Sequence, residues 1–489
     1  MRRAKTPPND RAIHIGRVSA LVRLKLDRHA ETPLYRQIYE RIAQAIKDGA
    51  LHPGERLPSA RSLASQLATS RGTIDLAYDV LSGEGYIMAK GAAGTIVSPT
   101  LTASPKQTPQ GPPRSFALEP ATDGVKPFQM GLPALDVFPR KLWSRLMVKH
   151  GRAMAVAALN QPAAEGYMPL REAIRSYLAI SRGILCSTEQ VVVTAGFQGA
   201  LGLITRALLH HGDEVWFEDP GYFMARLGFE AAGAKLVPVP VDVAGLNVET
   251  GIAKAPKARF VSVTPSHQMP LGVSLSSERR LALLSWASRT GAWIIEDDYD
   301  SEFRYGSPPL PALKSLDESD RVIYVGTFSK VLFPGLRLGY IVVPGSAIGP
   351  VQRVCRLLHR DRPIFNQAVV ADFMREGHFA RHIRKMRSLY SVRRAAVAAA
   401  LANIFDGRMK IEMQSGGMHL LGRLAKTEND QVLVARAMDY GLAPAALSPW
   451  RLEYDCGHGL LLNFTNIPEH AATEMVMRLK HSVESTARS

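Results

Sequence analysis

The spacing of apolar residues changes along this chain. In residues 34–46 they fall on one helical face, and Gly49 follows at a position suited to a left-handed helix cap. Between residues 191 and 325, the short apolar runs VVVT, VWF, FVSV, WIIE and VIYV alternate with helical stretches. This alternation predicts an α/β fold with a mainly parallel sheet and helices on both faces. From about residue 351, a basic helical tract and the run GLLLNF predict a smaller C-terminal α+β subdomain.

A polar segment separates two parts of the chain. The run SPTLTASPKQTPQGPP is rich in Pro, Ser, Thr and Gln and has no apolar period, which is typical of a linker. A length of 489 residues also suits one small and one large domain. We therefore expect a basic extension (1–30), a small domain (31–98), a linker (99–127) and a large domain (128–489).

The charge and cysteine content narrow the class of protein. A formal net charge of +16 favours a polyanionic partner, although charge alone does not separate DNA from RNA or a membrane surface. The basic tract at 353–394 fits either a solvated helix face or a surface that guides DNA. Cys186, Cys355 and Cys456 show no metal-ligand spacing, so we expect no metal and a reducing compartment. No run approaches the roughly 20 apolar residues of a membrane span. The expectation is a soluble cytoplasmic protein.

Residues 34–97 predict a helix, a short helix, a turn, a third helix and a hairpin. Ser59 is a plausible cap for the short helix, which would bury Leu63 and Leu67. The third helix opens at SRGT, and IMAKGAAGTIVS offers two short strands around a glycine-rich tip. A helical hairpin without a binding role would explain each of these features taken singly.

The phrases PLYRQI, LPSAR, SRGT, Y-x-x-L-x-x-EGY and G-T-x-V together resemble the winged helix-turn-helix of the GntR family. The resemblance covers about residues 32–98 and implies double-stranded DNA as a partner. It implies that the third helix reads the major groove and that the hairpin is the wing. Gly72 is expected to add little specificity. The residues expected to contact bases or phosphates are Arg61, Ser70, Arg71, Thr73, Lys90 and Gly94.

The stretch IYVGTFSKVLFPGLRLGY places a lysine just beyond a predicted strand. Lys330 condenses with an aldehyde only as the free amine, so such a lysine needs surroundings that tune its charge. Thr327, Ser329 and Arg337 offer hydrogen-bond donors to a phosphate. The phrase alone would also suit a surface loop.

Three further segments favour a cofactor site. VVVTAGFQGAL runs from a strand into a helix across Gly196, where backbone amides can hold phosphate. In WIIEDDYDSEFRY, a carboxylate at a strand end can keep a pyridinium nitrogen protonated. In EDPGYFMAR, Tyr222 can stack on a planar ring. Parallel sheets bind ligands at the carboxyl ends of their strands, where all these segments lie.

Residues 128–489 resemble fold-type I pyridoxal-phosphate enzymes, the aspartate aminotransferase superfamily. The resemblance implies pyridoxal 5'-phosphate as cofactor and Lys330 as the catalytic Schiff-base residue. It assigns Asp297 to the pyridine nitrogen, Tyr299 to the ring oxygen and Tyr222 to stacking. The residues assigned to the phosphate are Gly196, Phe197, Gln198, Thr327, Ser329 and Arg337. For Asp298, Asp300 and Glu302 we expect only a polar strand end.

Two departures from that superfamily put an ordinary amino-acid pocket in doubt. Leu461 stands where its members carry the arginine that clamps a substrate carboxylate. TPSHQMPLG replaces the usual Asn-Pro-Thr-Gly turn, so that His267 or Gln268 is expected beside the cofactor ring.

The order of the two halves resembles the MocR/GabR-type subfamily of GntR regulators, as do the phrases PSHQ-x-P-x-G and EDDYDSEFRY. The resemblance implies a homodimer that exchanges its DNA readers and binds two half-sites. We expect a regulator that senses an amine or pyridoxal phosphate itself. Physiological turnover is not expected, although a residual transaminase half-reaction stays open. The alternatives are an active, autoregulated aminotransferase and a dimerisation scaffold without cofactor.

Overall fold

A computed structural model gives the fold of most of the chain. The protein consists of two compact units, Met1–Pro120 and Ala121–Ser489, each defined by the contacts among its own Cα atoms. Most of the basic extension and most of the predicted linker lie outside the residues that the structure describes. The described residues are 26–28, 30, 32–91, 94–99, 124–153, 163–305, 310–358, 363–425 and 427–484.

The first unit contains the predicted helices and hairpin in the predicted order. Its core is apolar, with Ile38, Ile42, Leu63 and Ile74 fully buried. Gly49 takes the left-handed conformation expected after the first helix, with φ of 74°. The elements are α1 (Leu34–Lys47), α2 (Ala60–Gln66), α3 (Arg71–Gly83), β1 (Ile87–Ala89) and β2 (Thr95–Val97), with the two strands antiparallel.

Serine side chains start α2 and α3. The Ser59 Oγ accepts a hydrogen bond from the Ser62 backbone N–H at 3.2 Å. In the same way the Ser70 Oγ accepts from the Thr73 N–H at 3.1 Å. Each cap satisfies an amide that the helix leaves free, so Ser59 marks the start of α2 and Ser70 ends the turn between α2 and α3.

Ser59→Ala should loosen α2, because the capping bond disappears while the buried side chains stay. We expect a cost of about 1 kcal/mol, seen as roughly fivefold faster hydrogen exchange in residues 60–66. Ser65→Ala, an exposed change in the same helix, is the matched control and should leave exchange unchanged or slower. Equal exchange in both variants would show that the cap does not hold the helix.

The second unit is built on an eight-stranded sheet with the order β3-β10-β9-β8-β7-β4-β5-β6. Neighbours from β9 to β5 are parallel, whereas β10 runs antiparallel to both β3 and β9. The sheet is therefore mainly parallel, as predicted. Its strands are β3 (Val191–Thr194), β4 (Glu214–Asp219), β5 (Lys235–Asp242), β6 (Gly245–Leu246), β7 (Phe260–Val263), β8 (Trp293–Asp298), β9 (Val322–Thr327) and β10 (Gly339–Val342).

Helices cover both faces of this sheet. Alternate strand residues point to opposite sides: Val215 and Phe217 join one apolar cluster, and Trp216 joins another. The two buried faces explain why the strand sequences read as continuous apolar runs. The helices that precede β10 along the chain are α4 (Arg140–Arg152), α5 (Met168–Arg182), α6 (Gly196–Leu208), α7 (Phe223–Ala231), α8 (Val248–Lys254) and α9 (Ser277–Thr290).

The C-terminal part forms the predicted α+β subdomain. Its four-stranded antiparallel sheet has the order β11-β12-β14-β13. No helix in the described part of the chain is long and apolar enough to cross a membrane. The elements are α10 (Ile348–Leu358), α11 (Ile364–Arg375), α12 (His378–Phe405), β11 (Lys410–Glu412), β12 (His419–Arg423), α13 (Asp430–Asp439), β13 (Ala445–Ala446), β14 (Gly459–Asn463) and α14 (Ala472–Glu484).

Candidate functional site

The carboxyl ends of β3, β4, β8 and β9 meet at one edge of the large sheet, and a cavity of about 200 Å³ opens there. Every residue that the sequence assigned to the cofactor lines this cavity, except His267. The assigned residues that it brings together are Gly196, Phe197, Gln198, Tyr222, Asp297, Tyr299, Thr327, Ser329, Lys330 and Arg337.

Lys330 lies in the turn after β9 and reaches into the cavity. Its Nζ donates a hydrogen bond to the Gly131 carbonyl oxygen at 3.1 Å. Gly131 has φ of 79°, a left-handed conformation that favours glycine, and a Cβ there would displace that Nζ. Burial lowers the pKa of the Lys330 amine, while Asp300 and Asp297 oppose that effect. The surroundings therefore favour the reactive free amine.

Asp297, near the end of β8, faces the same cavity. Burial, and then the charges of Asp298 and Glu218, raise the pKa of the Asp297 carboxyl well above its ordinary value. A positive group placed against this carboxyl would have the opposite effect. Asp297 is thus suited to a ligand that presents a cation.

Donors for an anion collect at another part of the cavity wall. Gly196 begins α6 with φ of 70°, and the free amides of that helix end face the cavity. The Thr327 Oγ1 accepts the Ser329 N–H at 3.1 Å, which orders the turn that carries both hydroxyls. Arg337 has φ of 51°, a strained conformation for a non-glycine residue and common at ligand sites. This end of the cavity can hold a phosphate.

Tyr222 gives the cavity an aromatic wall. Its ring stacks on Trp450, with centroids 6.1 Å apart and an interplanar angle of 28°. Phe197 meets it edge to face at 5.6 Å. Burial raises the pKa of the Tyr222 hydroxyl to about 12, so it stays protonated. The ring is held by its neighbours, as a stacking platform requires.

The segment TPSHQMPLG differs from the prediction. Neither His267 nor Gln268 lines the cavity, and Met269 does so instead. The Gln268 Nε2 donates to the Pro220 carbonyl at 2.9 Å, which fixes the loop from behind. His267 lies behind Tyr299 and contacts its hydroxyl. No pattern in the sequence indicates this shift, because it depends on how the loop turns.

Of the three carboxylates expected to form only a polar strand end, Asp298 and Glu302 stay out of the cavity lining. Asp298 ends β8, is buried, accepts a hydrogen bond from the Tyr324 hydroxyl at 2.6 Å and lies 3.1 Å from the Arg182 Nε. Glu302 accepts from the Tyr177 hydroxyl at 2.9 Å. Asp300 differs from the expectation, because it lines the cavity.

Sequence reasoning missed the residues that reach the cavity from distant segments. Leu461 is buried on β14 within an apolar cluster, and Asn463 at the end of that strand lines the cavity. The Asn463 Nδ2 donates to the carbonyls of Gln129 and Leu132, which ties the segment before α4 to the C-terminal sheet. The further lining residues are Met130, Gly131, Met269, Pro334, Met418 and His419.

In the first unit, the predicted contact residues of α3 share one turn. Arg71 is largely exposed and forms an ion pair with Asp75 at 3.3 Å. The hydroxyls of Ser70 and Thr73 lie 2.8 Å apart at the start of the helix. These polar groups surround free backbone amides, an arrangement that suits phosphate or base edges.

The remaining predicted contacts lie on α2 and the hairpin. Arg61 is exposed in the first turn of α2. The exposed Lys90 donates its backbone N–H to the Gly94 carbonyl at 2.8 Å, which closes the hairpin. Gly94 has φ of 81°, and a Cβ there would lie 3.1 Å from the Arg56 guanidinium. Glycine therefore suits this turn both for its backbone and for its close neighbour.

Comparisons with known proteins match these two units. Residues 34–97 match the bacterial regulatory proteins of the gntR family, and residues 148–443 match aminotransferase class I and II. The chain is 37% identical to the probable rhizopine catabolism regulatory protein MocR of Rhizobium meliloti, over 94% of this chain and 95% of that one. It is 30% identical to the pyridoxine biosynthesis transcriptional regulator PdxR of Corynebacterium glutamicum, over 94% and 98%.

Solved structures resemble the second unit. A kynurenine aminotransferase of Pyrococcus horikoshii, in complex with PMP, matches with a TM-score of 0.67 at 30% identity, over 74% of this chain and 91% of that one. The α-aminoadipate aminotransferase LysN of Thermus thermophilus matches with a TM-score of 0.67 at 28% identity, over 73% and 91%. With the relatives above, these matches cover both units in the same order. The chain therefore belongs to the MocR-type transcription regulators, in which a GntR-family DNA-binding domain precedes an aminotransferase class I and II domain.

Proposed function

We propose that this protein is a pyridoxal-phosphate-dependent transcription regulator whose aminotransferase-like domain senses an amine or pyridoxal phosphate itself. The observation that carries the proposal is the pairing of Lys330 and Asp297 in one buried cavity of a chain that begins with a GntR-family domain. We take the functional boundaries to be residues 31–98 for the reader, 99–127 for the linker and 128–489 for the sensor.

The side chains of the cavity fit this cofactor. When bound, pyridoxal phosphate supplies an aldehyde that reacts with amines and a ring that draws electrons from the bond it forms. Asp297 would meet the ring nitrogen, because a protonated ring nitrogen would offset the burial and the neighbouring carboxylates that raise the pKa of Asp297. Tyr222 would face the ring, and Tyr299 would donate to its oxygen. The helix end at Gly196, with Thr327, Ser329 and Arg337, would hold the phosphate.

The chain's own residues also determine which state of the site is reactive. Burial of Lys330 favours its free amine, the form that attacks an aldehyde. The Gly131 carbonyl would accept a hydrogen bond from the Lys330 amine whenever that amine is not bonded to the cofactor, as it does here.

Regulation would couple this exchange to the DNA readers. We propose a cytoplasmic homodimer, whose two readers bind two half-sites. A coupling free energy of about 1 to 3 kcal/mol would be sufficient. The proline-rich run between the domains favours a change in the population of domain arrangements rather than a rigid lever.

The test combines two signals in one titration. Purified protein is mixed with pyridoxal phosphate and its absorbance spectrum recorded, while binding to DNA from upstream of its own coding region is followed by fluorescence anisotropy. Candidate amines are then added. We expect a cofactor band to form and DNA affinity to change by roughly fivefold to 150-fold as an amine or the cofactor binds, without product accumulating.

Steady turnover would contradict the sensor proposal. The chain is 30% identical to an aromatic-amino-acid aminotransferase of Thermococcus litoralis over 72% of its length, so amino acids and 2-oxo acids belong among the tested compounds. Product formation at a constant rate would make the protein an enzyme first. A cofactor band with DNA affinity that never responds would instead favour a structural role for the cofactor.

A further inference from the structure

His267 lies behind the cavity wall and contacts two of the side chains that face the cavity. Its Nδ1 lies 2.9 Å from the Tyr299 hydroxyl oxygen and 3.0 Å from the Asp300 Oδ2. Tyr299 and Asp300 line the cavity, whereas His267 does not. The side chains of His267 and Asp300 are almost fully buried. One ring nitrogen thus bridges a phenol and a carboxylate beside Lys330.

The geometry fixes where the imidazole carries its hydrogen. An ionised Asp300 can only accept a hydrogen bond, so the Nδ1 must be the donor. The Tyr299 oxygen then shares that N–H as an acceptor, and its own hydrogen is directed at the Met269 Sδ, 3.7 Å away on the cavity wall, a weak acceptor that a ligand oxygen could replace. The His267 Nε2 is buried and has no hydrogen-bond partner in the described part of the chain. An unpaired lone pair there costs less than an unpaired N–H, which favours the same tautomer.

The C-terminal subdomain holds the imidazole in place. Gly417 has φ of 88°, and a Cβ there would lie 1.9 Å from the His267 Cε1. On another side, a Cβ at Gly272 would lie 3.0 Å from the Nε2. The His419 ring lies 5.2 Å away. Burial, and then His267, lower the pKa of His419 to about 3, so it is neutral. These neighbours pack closely around the His267 ring and hold it in its orientation.

The charge of Asp300 links this arrangement to the Lys330 amine, because it raises the pKa of that amine. Burial favours its neutral form, and Asp300 and Asp297 favour the charged form. Asp297 lies in β8 and Asp300 lies just after it, whereas His419 comes from β12. The titratable or charged groups that line the cavity around this amine are Tyr222, Asp297, Tyr299, Asp300, Arg337 and His419.

We propose that His267 is a positioning residue that holds Asp300 and Tyr299 toward Lys330 and so sets the pH at which Lys330 captures pyridoxal phosphate. The inference rests on the proposed function, since it takes that cofactor as the ligand of the cavity. Without the imidazole donor, the Asp300 carboxylate would lose a hydrogen-bond partner and turn away from Lys330. The charge that favours cationic Lys330 would be lost, and its free amine would appear at lower pH.

The test measures the rate of cofactor capture against pH by stopped-flow absorbance. In His267→Leu, the midpoint of this profile should move about one pH unit lower than in the wild type. His267→Asn retains a side-chain N–H and should move less. His150→Asn is the matched control, because His150 also lies 2.9 Å from an aspartate, Asp372, outside the cavity lining. Its profile should coincide with the wild type.

A second pair of variants separates positioning from general damage. Asp300→Asn should shift the profile in the same direction, and adding His267→Leu to it should shift the profile no further. Gly417→Ala leaves the imidazole present but displaces it, so it should shift the profile the same way, with circular dichroism confirming that each variant is folded. A wild-type profile in His267→Leu and Gly417→Ala, or additive shifts in the double variant, would overturn the role of His267. Failure of the wild type to capture any cofactor would instead overturn the proposed function, and this inference with it.

Discussion

Lys330→Ala should abolish the absorbance band that the wild-type protein forms with pyridoxal phosphate. In the proposed function, the amine that reaches into the cavity and contacts the Gly131 carbonyl would bond the cofactor covalently. The variant would keep the phosphate donors and the Tyr222 platform, so the cofactor could still bind without a covalent bond. Its spectrum should then be that of the free aldehyde. We also expect the response of DNA affinity to amines to disappear.

Lys235→Ala is the matched control for this result. Lys235 is exposed and pairs with Glu214 at 2.8 Å at the start of a parallel strand pair. Its loss should leave both the spectrum and the amine response unchanged. An intact band in the Lys330 variant would mean that another amine holds the cofactor. Loss of the band with an unchanged amine response would place the sensor elsewhere in the chain.

Local sequence signals were sufficient to predict most of the fold. Helix periods, serine caps and glycines at turn positions predicted the reader, and apolar runs separated by helices predicted the sheet. Strands such as β7 and β8 coincide closely with the runs FVSV and WIIE. These features depend on neighbours in sequence. The antiparallel insertion of β10 depends on its sheet neighbours β3 and β9, and the run itself does not encode it.

The candidate site was predictable where a strand ends in a reactive residue. Lys330, Asp297 and Gly196 each lie at or just after the end of a strand. Because parallel sheets bind ligands at the carboxyl ends of their strands, these residues were expected to lie together. Met130 and His419 could not be predicted in this way, because they reach the cavity from the segment before α4 and from the C-terminal sheet. No periodicity in the sequence relates such distant segments.

The carboxylates show why residues of one type in one run, for which the same role was expected, have different roles. Asp298 and Asp300 stand within three positions of each other in EDDYDSE, yet one pairs with Arg182 and the other with His267. Both partners lie far away along the chain. Because burying a charge is unfavourable without a partner, knowing the partner is necessary to know the role. That information resides in the tertiary structure.

Arg71→Ala should weaken binding to specific DNA by roughly fivefold to 150-fold, the range expected for the loss of one base-reading arginine at about 1 to 3 kcal/mol. Its side chain is 72% exposed in the first turn of α3, and its ion pair with Asp75 is solvent-accessible. Such an exposed pair is weak, so DNA can replace the carboxylate as the partner of the guanidinium. Anisotropy titrations with upstream DNA and with an unrelated duplex measure the effect.

Arg36→Ala provides the matched control, because Arg36 forms the same i,i+4 type of pair with Glu40 at 3.2 Å and is 63% exposed on α1. Removing it should change DNA affinity far less. If Arg71 reads a base, its loss should weaken the specific duplex and spare the unrelated one. If it contacts a phosphate, both should weaken alike and the salt dependence should fall by about one ion. Equal affinities for Arg71→Ala and wild type on both duplexes would remove α3 from the DNA interface, and with it the assignment of this helix as the reader.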